Sequence, residues 1–585
     1  MRKKFLLAMT LMLVAMVSWG QVLNIGGHRA VLDSINQMWL CSISQQNFGS
    51  DYTATINYGD SISEFAIDST LVANGEEFVF QGVEGGKRYM VTAMLNDTIP
   101  VEGYITFTWL PVVELYGDFN NYFHYASVVV NEPDSALATP MFAKVKWRGH
   151  STNSGIAHKR NFRIKFLNEE DTTKQNHRFF GLRNDNTWLL DAGQQDFLRV
   201  RNRVSTDLWL DMARRPWYSD SLPNARSGSR GTMVEVLLNG EYMGIYNMCE
   251  PIDRKQVKAK RYEYDENNKL VFHGGIWKAQ SWTRTVTMSN PASRNPGMPS
   301  WDGFVLKYPD REDVNTVLWK PLEDAVRFAH RADNSLKLRA DSMGFYFDLP
   351  VMQDYYILIA TIQALDNESR KIYYVCHDTQ DNNRVTMFPW GLDISLGANI
   401  APNLNQPEIT SPERPMTWMS HLPMIGMLDV EEYYVELLQR YRDLRKTVLH
   451  TDSLVNRYRS AINNLEECGA AAREESRWSK DTDIARKVLD LSTEMDYVED
   501  WIRRRMVFLD TCVFVDKVFP KYPEGDVNGD GEVNIADINT LINIILGGED
   551  NSEGRSDVNH DGEVNIADVN RDLEIVLNGP DTTNS

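Results

Sequence analysis

The sequence predicts a multidomain protein with three parts: an all-β, sandwich-like N-terminal module, a central α+β part with a helical C-terminal portion, and a small α-helical calcium-binding module. Three observations support this fold class. Residues 22–110 alternate apolar and polar side chains between glycine and asparagine turns. Residues 111–519 mix strand and helix patterns, and about 405–515 is mainly helical. An acidic twelve-residue segment is written twice, at 526–537 and 557–568.

The N-terminus has the pattern of an export signal. Arg2, Lys3 and Lys4 precede the mainly apolar run Phe5–Val17, and small residues follow. That run is too short to span a bilayer, since a spanning helix needs roughly 20 residues. We therefore expect residues 1–20 to be a signal peptide. The mature protein is then secreted or associated with the cell surface, without a membrane span.

Composition excludes some classes of function. The formal net charge is −20 and no basic tract lies beyond the signal, which argues against a nucleic-acid partner. The five cysteines are far apart and form no C-x-x-C pair. Neither a zinc site nor a disulfide framework is therefore expected.

The central part contains recognisable elements. MFAKVKWRG (141–149) and RNFRIKF (160–166) alternate as strands, and FLRVRNRVSTDLWLDMAR (197–214) has the spacing of a helix. Asn239–Gly240 is the two-residue turn of a predicted hairpin. Residues 520–525 are the predicted linker to the C-terminal module.

Each copy of the repeated segment has the donor pattern of a calcium loop. Oxygen-bearing side chains occupy positions 1, 3, 5, 9 and 12, glycine stands at 6, and a backbone carbonyl comes at 7. The first loop offers Asp526, Asn528, Asp530, the Glu532 carbonyl, Asn534 and Asp537. The second loop offers Asp557, Asn559, Asp561, the Glu563 carbonyl, Asn565 and Asp568. Because eleven of the twelve positions match, the alternative of two acidic surface turns is disfavoured.

The flanks of the loops identify a particular module. A short amphipathic helix is predicted after each loop, at 538–548 and 569–579, and breaker-rich segments precede both loops. One loop followed by one helix, duplicated, resembles the type I dockerin module over 526–579. That resemblance implies two Ca²⁺ sites and docking to a cohesin domain or another scaffold. Modules of this type recognise their cohesin partly through the residues at loop positions 10 and 11. In this chain these residues are the apolar pairs Ile535–Ala536 and Ile566–Ala567.

A basic cluster marks the first half of the central part. It contains Arg148, Lys159, Arg160, Arg163 and Lys165. If this stretch is a strand, residues 159, 163 and 165 share one face because side chains alternate. Such cations can hold phosphates. A solvated strand edge is the alternative, and composition alone favours it.

Two acidic residues stand beside apolar elements farther along the chain. Asp366 and Asn367 end an apolar helix, and Asp393 follows the apolar strand VTMFP. Two such acids can serve as proton acceptor and metal ligand for a transferred phosphoryl group. Considered singly, each is better explained as a capping or turn aspartate.

Taken together and in this order, the clusters resemble the CotH kinase family over roughly 111–519. The matching segments are RGHS (148–151), HKRNFRIKF (158–166), FFGLRNDNTWLLDAG (179–193), FLRVRNRVSTDLW (197–209), LLNGEYMGIYNMCE (237–250), DNESRKIYY (366–374) and WGLD (390–393). The resemblance implies an atypical kinase-like fold that uses ATP with Mg²⁺ or Mn²⁺ to phosphorylate protein hydroxyls.

Carried onto this chain, the family's roles fall on a few residues. Asp366 is implied to orient the acceptor hydroxyl and Asp393 to hold the metal. Lys159 or Lys165, with Arg148, is implied to hold the phosphates. Glu250 is implied to position that lysine.

The chain departs from the family pattern at two places. Lys371 stands where the family has a metal-binding asparagine, and Gly391 stands where it has an aspartate. Two functions therefore stay open. One is a dockerin-anchored protein kinase. The other is a non-catalytic, pseudokinase component of an extracellular, polysaccharide-degrading assembly.

Overall fold

The computed structural model describes most of the chain. The described residues are 23–135, 138–149, 158–296, 298–309, 316–333, 335–398, 411–415, 423–479, 488–519, 522–552 and 554–578. The predicted signal peptide lies outside these residues, as do positions 150–151 of the RGHS segment and 520–521 of the linker. Of the described helices, none combines the length and apolar composition needed to cross a membrane.

The N-terminal region is β-rich, as the sequence predicts. Its strands are β1 (Asn24–Ile25), β2 (His28–Asp33), β3 (Met38–Ser42), β4 (Tyr52–Asn57), β5 (Ile62–Ile67), β6 (Thr70–Leu71), β7 (Glu77–Phe80), β8 (Tyr89–Leu95) and β9 (Ile99–Thr108). They form one sheet in the order β6-β5-β8-β9-β3-β2-β1-β4-β7. Phe80, on the edge strand β7, packs against Tyr89 and Phe107 with ring centroids 5.1 and 5.0 Å apart. The sheet therefore folds over onto itself around its own apolar core.

Seven strands then close into a barrel. They are β10 (Val112–Gly117), β11 (His124–Asn131), β12 (Met141–Arg148), β13 (Asn161–Phe166), β14 (Thr187–Asp191), β15 (Gly231–Leu238) and β16 (Glu241–Cys249). The order is β10-β11-β12-β13-β14-β16-β15, and the parallel pair β10–β15 closes it. Strands β12 and β13 confirm two sequence predictions. The hairpin β15–β16, which turns at Asn239 and Gly240, confirms a third.

Helix α1 (Arg201–Met212) begins four residues later than the sequence predicts. The carboxylate of Asp196 accepts hydrogen bonds from the backbone N–H groups of Leu198 and Arg201. These bonds hold the intervening residues in a turn, and the helix starts only after it.

A five-stranded sheet follows the barrel. The segment between the barrel and this sheet contains helix α2 (Arg254–Val257) and the two-stranded sheet of β17 (Glu263–Tyr264) and β18 (Leu270–Val271). The sheet consists of β19 (Gly275–Ala279), β20 (Ser300–Trp301), β21 (Phe304–Tyr308), β22 (Ile372–Asp378) and β23 (Asn382–Pro389), in the order β20-β21-β19-β22-β23. Helices α3 (Lys320–Ala332), α4 (Leu336–Tyr346) and α5 (Leu349–Ile362) pack against β23. Residues 351–362 of α5 are all buried, so this helix is the central element of the layer.

The helical C-terminal portion is also confirmed among the described residues. It comprises α6 (Pro423–Gly426), α7 (Glu431–Arg445), α8 (Thr451–Glu467), α9 (Ala470–Trp478) and α10 (Leu491–Phe508). Helix α9 lies on the barrel strand β16. A Cβ added to Gly244 would come within 1.9 Å of Glu474 Oε2, so the buried Glu474 side chain can occupy this position only over glycine.

Two further helices, α11 (Ile535–Ile545) and α12 (Ile566–Asn578), form the C-terminal repeat. Each follows its acidic loop as predicted but begins three residues earlier than expected. For α11 the reason is a capping box, in which the Asn534 side chain and Asp537 satisfy the first backbone N–H groups. The two helices pack around a small separate core that includes Ile538 and Leu541.

Candidate functional site

The turn that carries Asp366 is fixed by its neighbours. After α5 ends, residues Leu365–Glu368 form a 3₁₀ turn in which Asp366 is buried. The Tyr355 hydroxyl donates to the Asn367 carbonyl at 2.8 Å, and the Asn367 side chain donates to the Trp390 carbonyl at 3.1 Å. These bonds tie the Asp366 turn to the segment that carries Asp393.

A single lysine joins the two predicted acids. The Lys371 ammonium lies 2.9 Å from Asp366 Oδ2 and 3.0 Å from Asp393 Oδ1, and it also donates to the Gly391 carbonyl at 3.3 Å. Arg370 bonds the other oxygen of Asp366. The structure therefore brings Asp366 and Asp393 together, with the Lys371 ammonium between them.

The lysine, the arginine and the carboxylates of this cluster stabilise one another in their charged forms. Burial alone would lower the pKa of Lys371, but the carboxylates of Asp393 and Asp366 outweigh it and raise that pKa. Burial would likewise raise the pKa of Asp366, yet Lys371 and Arg370 hold it below its ordinary value. Asp366 is accordingly an ionised carboxylate with both oxygens in ion pairs.

Asp191 belongs to the same site, although sequence reasoning missed it. It ends strand β14, and its carboxylate accepts a short hydrogen bond from Asn202. Asn202 in turn accepts a 2.9 Å hydrogen bond from the backbone N–H of Leu392, next to Asp393. Burial raises the pKa of Asp191, and the Asp393 carboxylate adds to the rise against the charge of Arg148. Asp191 directly follows the apolar run W-L-L. An acid after an apolar run is also the signal that singled out Asp393.

Lys278 is a second site residue that the sequence did not reveal. It lies on β19 in register with Tyr373 on β22, and its Nζ is 5.6 Å from that ring centroid. Burial, together with the neighbouring charges of Lys307, Arg148 and Lys371, lowers the pKa of Lys278 to about 7. Among the described residues, no carboxylate lies within ion-pairing distance of Lys278. A half-buried lysine among other basic side chains is suited to an anionic ligand, which would favour its protonated form.

Arg148 lies against Trp390, the ring next to Tyr373. Its guanidinium carbon lies 5.3 Å from the Trp390 ring centroid. The Trp390 and Tyr373 rings are 6.2 Å apart. Arg148 and Lys278 thus flank two aromatic rings beside Lys371, an arrangement that can bind a phosphate group.

Three residues that were predicted to hold phosphates or to position such a residue lie elsewhere, namely Lys159, Glu250 and Lys165. Lys159 precedes β13 and does not share the face of Lys165. It is fully buried, 2.7 Å from Glu474 Oε1, where no phosphate reaches it. Glu250 does not position this lysine either, because it pairs with Arg230 at 2.6 Å.

Lys165 lies in a basic group around Phe123, away from the end of β12 that carries Arg148. Its Nζ lies 5.0 Å from the Phe123 ring centroid, and Lys144 and Lys146 lie at 5.6 and 5.0 Å from the same ring. Lys165 faces Lys144 across the β12–β13 pair, whereas Arg148 stands at the opposite end of β12. Of the predicted basic cluster, Arg148 lies at the centre, and the charge of Arg163 also reaches Tyr373 there.

The first acidic loop is folded around its own carboxylates. Asp526 accepts hydrogen bonds from the backbone N–H groups of Gly529, Asp530 and Gly531. Asp537 accepts those of Asn528 and Asn534, at 3.0 and 2.9 Å. In the second loop Asp557 and Asp568 play the same parts.

The donor chemistry of these loops fits Ca²⁺. Burial raises the pKa of Asp537, and the Asp526 and Asp530 carboxylates raise it further, so negative charge converges there. Across the described residues, no three His, Cys, Asp or Glu side chains are arranged to hold a metal by themselves. The loops therefore need their asparagine and backbone carbonyl oxygens as well, as calcium loops do.

Comparison with known proteins gives two matches. A family model described as CotH kinase protein matches residues 145–509, which is more than half of the chain. A model described as Dockerin type I domain matches residues 524–575. No curated protein matches the chain.

Proposed function

The chain belongs to the CotH kinase protein family, and from that membership we propose that it is an exported protein kinase held on a cohesin-bearing partner by its dockerin. The acceptors are protein hydroxyl groups and the phosphoryl donor is ATP. The type I dockerin domain implies the cohesin partner and binds calcium. The predicted signal at residues 1–20 supports export.

One observation carries the kinase proposal: carboxylates and cations suited to phosphoryl transfer meet at one place. Asp366 is positioned to orient an acceptor hydroxyl, while Arg148 and Lys278 are positioned to hold phosphates. Phosphoryl transfer depends mainly on such alignment and on neutralising negative charge. Asp191 positions the segment of Asp393 through Asn202.

The residues present do not fit the divalent ion that the family pattern implies. Asp393, the implied ligand, has its Oδ1 committed to the Lys371 ammonium at 3.0 Å. Position 371 supplies a cation in place of an oxygen, and Gly391 supplies no side chain. We therefore assign no step of the reaction to a metal ion.

Transfer of label from γ-labelled ATP to an acceptor protein tests the kinase proposal. We expect the mature full-length chain to transfer label, and Asp366→Ala and Asp393→Ala to lose it by about 100-fold or more. Asp381→Ala is the matched control, because Asp381 is exposed in the turn of the same β22–β23 hairpin. Equal transfer by wild type and Asp366→Ala would refute the proposal.

One observation favours the second candidate, a non-catalytic body in an extracellular polysaccharide-degrading assembly. Both oxygens of Asp366 are engaged, one by Arg370 and one by Lys371. A carboxylate held in this way is a weaker proton acceptor. Nucleotide binding without any transfer of label would support this second function.

The dockerin offers an apolar surface for its partner. Ile535 and Ile566, at position 10 of the two loops, are 61% and 65% exposed. Titration against a panel of cohesin domains tests the docking. We expect binding in Ca²⁺, loss of binding in EDTA, and weakening by about tenfold or more in the double variant Ile535→Asp, Ile566→Asp. Val518→Asp is the control, since Val518 is 91% exposed outside the repeat. Binding unaffected by EDTA would contradict a calcium-dependent dockerin.

A further inference from the structure

The two departures from the family pattern meet in space. A Cβ added at Gly391 would lie 3.2 Å from Lys371 Cδ, 3.4 Å from Lys371 Nζ and 3.4 Å from Asp393 Oδ1. The backbone of Gly391 is left-handed, with φ +65°. Glycine at this position therefore leaves the space that the lysine side chain fills.

Lys371 occupies that space in a fixed geometry. Its backbone N–H donates to the Ala279 carbonyl at 2.8 Å, and its carbonyl accepts from the Trp390 N–H at 3.0 Å. Its ammonium is surrounded by oxygens of Asp366, Asp393 and Gly391. Two carboxylates and a carbonyl around one cation is the kind of environment in which a kinase holds a metal ion.

Besides Lys371, the positive charge of the site comes from Lys278 and Arg148, and each of these side chains packs against an aromatic ring. Lys278 is half-buried against Tyr373, and Arg148 stacks on Trp390. No carboxylate of the described chain pairs with Lys278. The negative charge of a polyphosphate can thus be balanced by the protein's own cations.

We propose that the Lys371 ammonium takes the place of the divalent cation, so that the protein binds the phosphates of a nucleotide without Mg²⁺ or Mn²⁺. The proposal rests on the proposed function in one respect, namely that the ligand of this site is a nucleotide. It predicts that chelators leave nucleotide binding intact. It also predicts that replacing Lys371 by the oxygen ligand of the family pattern creates a dependence on metal.

Equilibrium dialysis of labelled ATP against the mature full-length chain tests this, in EDTA and in excess Mn²⁺. We expect wild type to bind in both, with Kd values within about threefold. Lys371→Asn is expected to bind about tenfold or more weakly in EDTA and to recover in Mn²⁺. Lys269→Asn, a loss of charge at an exposed turn residue, is expected to behave as wild type. EDTA also strips the dockerin loops, but it does so equally in all three proteins.

Each outcome separates this inference from the kinase assignment. ATP binding by the wild-type protein in EDTA, without transfer of label, would support metal-independent nucleotide binding and would exclude the kinase proposal. Binding by wild type only in Mn²⁺ would overturn the inference and leave the kinase proposal standing. No binding in either buffer would overturn both. The wild-type comparison decides the matter even if Lys371→Asn fails to fold.

Discussion

At the scale of single residues, the most consequential group outside the candidate site is Glu474. Its carboxylate lies 2.7 Å from Lys159 and 2.6 Å from Arg199, and it accepts the Ile245 N–H at 2.7 Å. Burial would raise its pKa, but the two cations hold it below the ordinary value. Glu474 is therefore ionised and neutralises buried positive charge between α9 and the barrel.

We expect Glu474→Gln to destabilise the protein by about 3–5 kcal/mol, because it leaves buried cations without their counter-charge. Urea denaturation followed by tryptophan fluorescence measures the effect. Glu466→Gln, an exposed position on the neighbouring helix α8, should change the unfolding free energy by less than about 0.5 kcal/mol. Equal effects of the two substitutions would show that the buried ion pairs contribute nothing.

Asp572, on α12, is a second unusual carboxylate. It is fully buried, and among the described residues neither of its oxygens has a hydrogen-bond partner. The 31-residue period of the repeat makes Leu541 its counterpart in α11. Burial, helped by the nearby Asp537 carboxylate, raises the pKa of Asp572 from 3.8 to about 7.

We expect Asp572→Leu to stabilise the dockerin at pH 7 by about 1–3 kcal/mol. The folded state retains the proton up to pH about 7, whereas the unfolded chain releases it near 3.8. The free-energy cost of burying Asp572 in the wild-type protein therefore grows as the pH rises between these values. The stability gained by Asp572→Leu should grow by the same amount. Thermal unfolding in saturating Ca²⁺ at several pH values measures this. The reciprocal Leu541→Asp should destabilise, and a destabilising Asp572→Leu would contradict the interpretation.

The site residues show what a single sequence can reveal. Asp366 and Asp393 were singled out because each ends an apolar element, and Arg148 because it lies in a basic cluster. Their roles stay predictions. Lys159 was assigned to the wrong role because burial under α9 depends on packing between distant segments. Lys278 carries no local signal, and only the register of β19 against β22 brings it to the centre.

At the scale of elements, the β15–β16 hairpin is tied down by its turn. Asn239 is left-handed, with φ 52°. Its side chain accepts from the Gly117 N–H at 2.9 Å and donates to the Gly117 carbonyl at 3.0 Å. The turn thereby fixes the end of β10, the strand that closes the barrel against β15.

We expect Asn239→Ala to cost about 2 kcal/mol, from the lost hydrogen bonds and the left-handed backbone. Asn268→Ala isolates the backbone contribution, because Asn268 is also left-handed, with φ 58°. Chemical denaturation should show a cost of no more than about 1 kcal/mol for it. If the two substitutions cost the same, the bonds to Gly117 do not stabilise the barrel.

Elements were easier to predict than their ends. Strands β12 and β13 and the Asn239–Gly240 hairpin follow from alternation and turn chemistry, which act over a few residues. Helices α1, α11 and α12 were found but misplaced by three or four residues. Their starts are set by hydrogen bonds to the side chains of Asp196, Asn534 and Asn565, which the periodicity of apolar residues does not reveal.

At the scale of the whole molecule, the body and the dockerin have separate cores. Val31, Met38 and Leu40 of the N-terminal sheet pack with Val112 and Leu237 of the barrel. The core of the dockerin contains none of these residues. Its described ion pair to the body, Lys337 with Glu532 at 3.8 Å, is exposed and contributes little.

We therefore expect calcium chelation to affect only part of the molecule. In scanning calorimetry of the mature chain, EDTA should remove or lower one small transition and leave the larger ones in place. Calcium at 100 times its Kd stabilises a folded site by about 2.7 kcal/mol, and chelation removes that contribution. The variant Asp526→Ala, Asp557→Ala should show no response to EDTA. A shift of every transition would mean that the dockerin and the body unfold together.

The contact between Gly391 and Lys371 also restricts how this centre can change by mutation. A larger residue at 391 would press on a lysine whose ammonium is pinned by two carboxylates. A side chain at 391 therefore requires the Lys371 side chain to shift by a few tenths of an ångström, on a backbone conformation that L side chains rarely adopt. We expect the two positions to be coupled, so that the effect of a substitution at 391 on stability depends on which residue stands at 371.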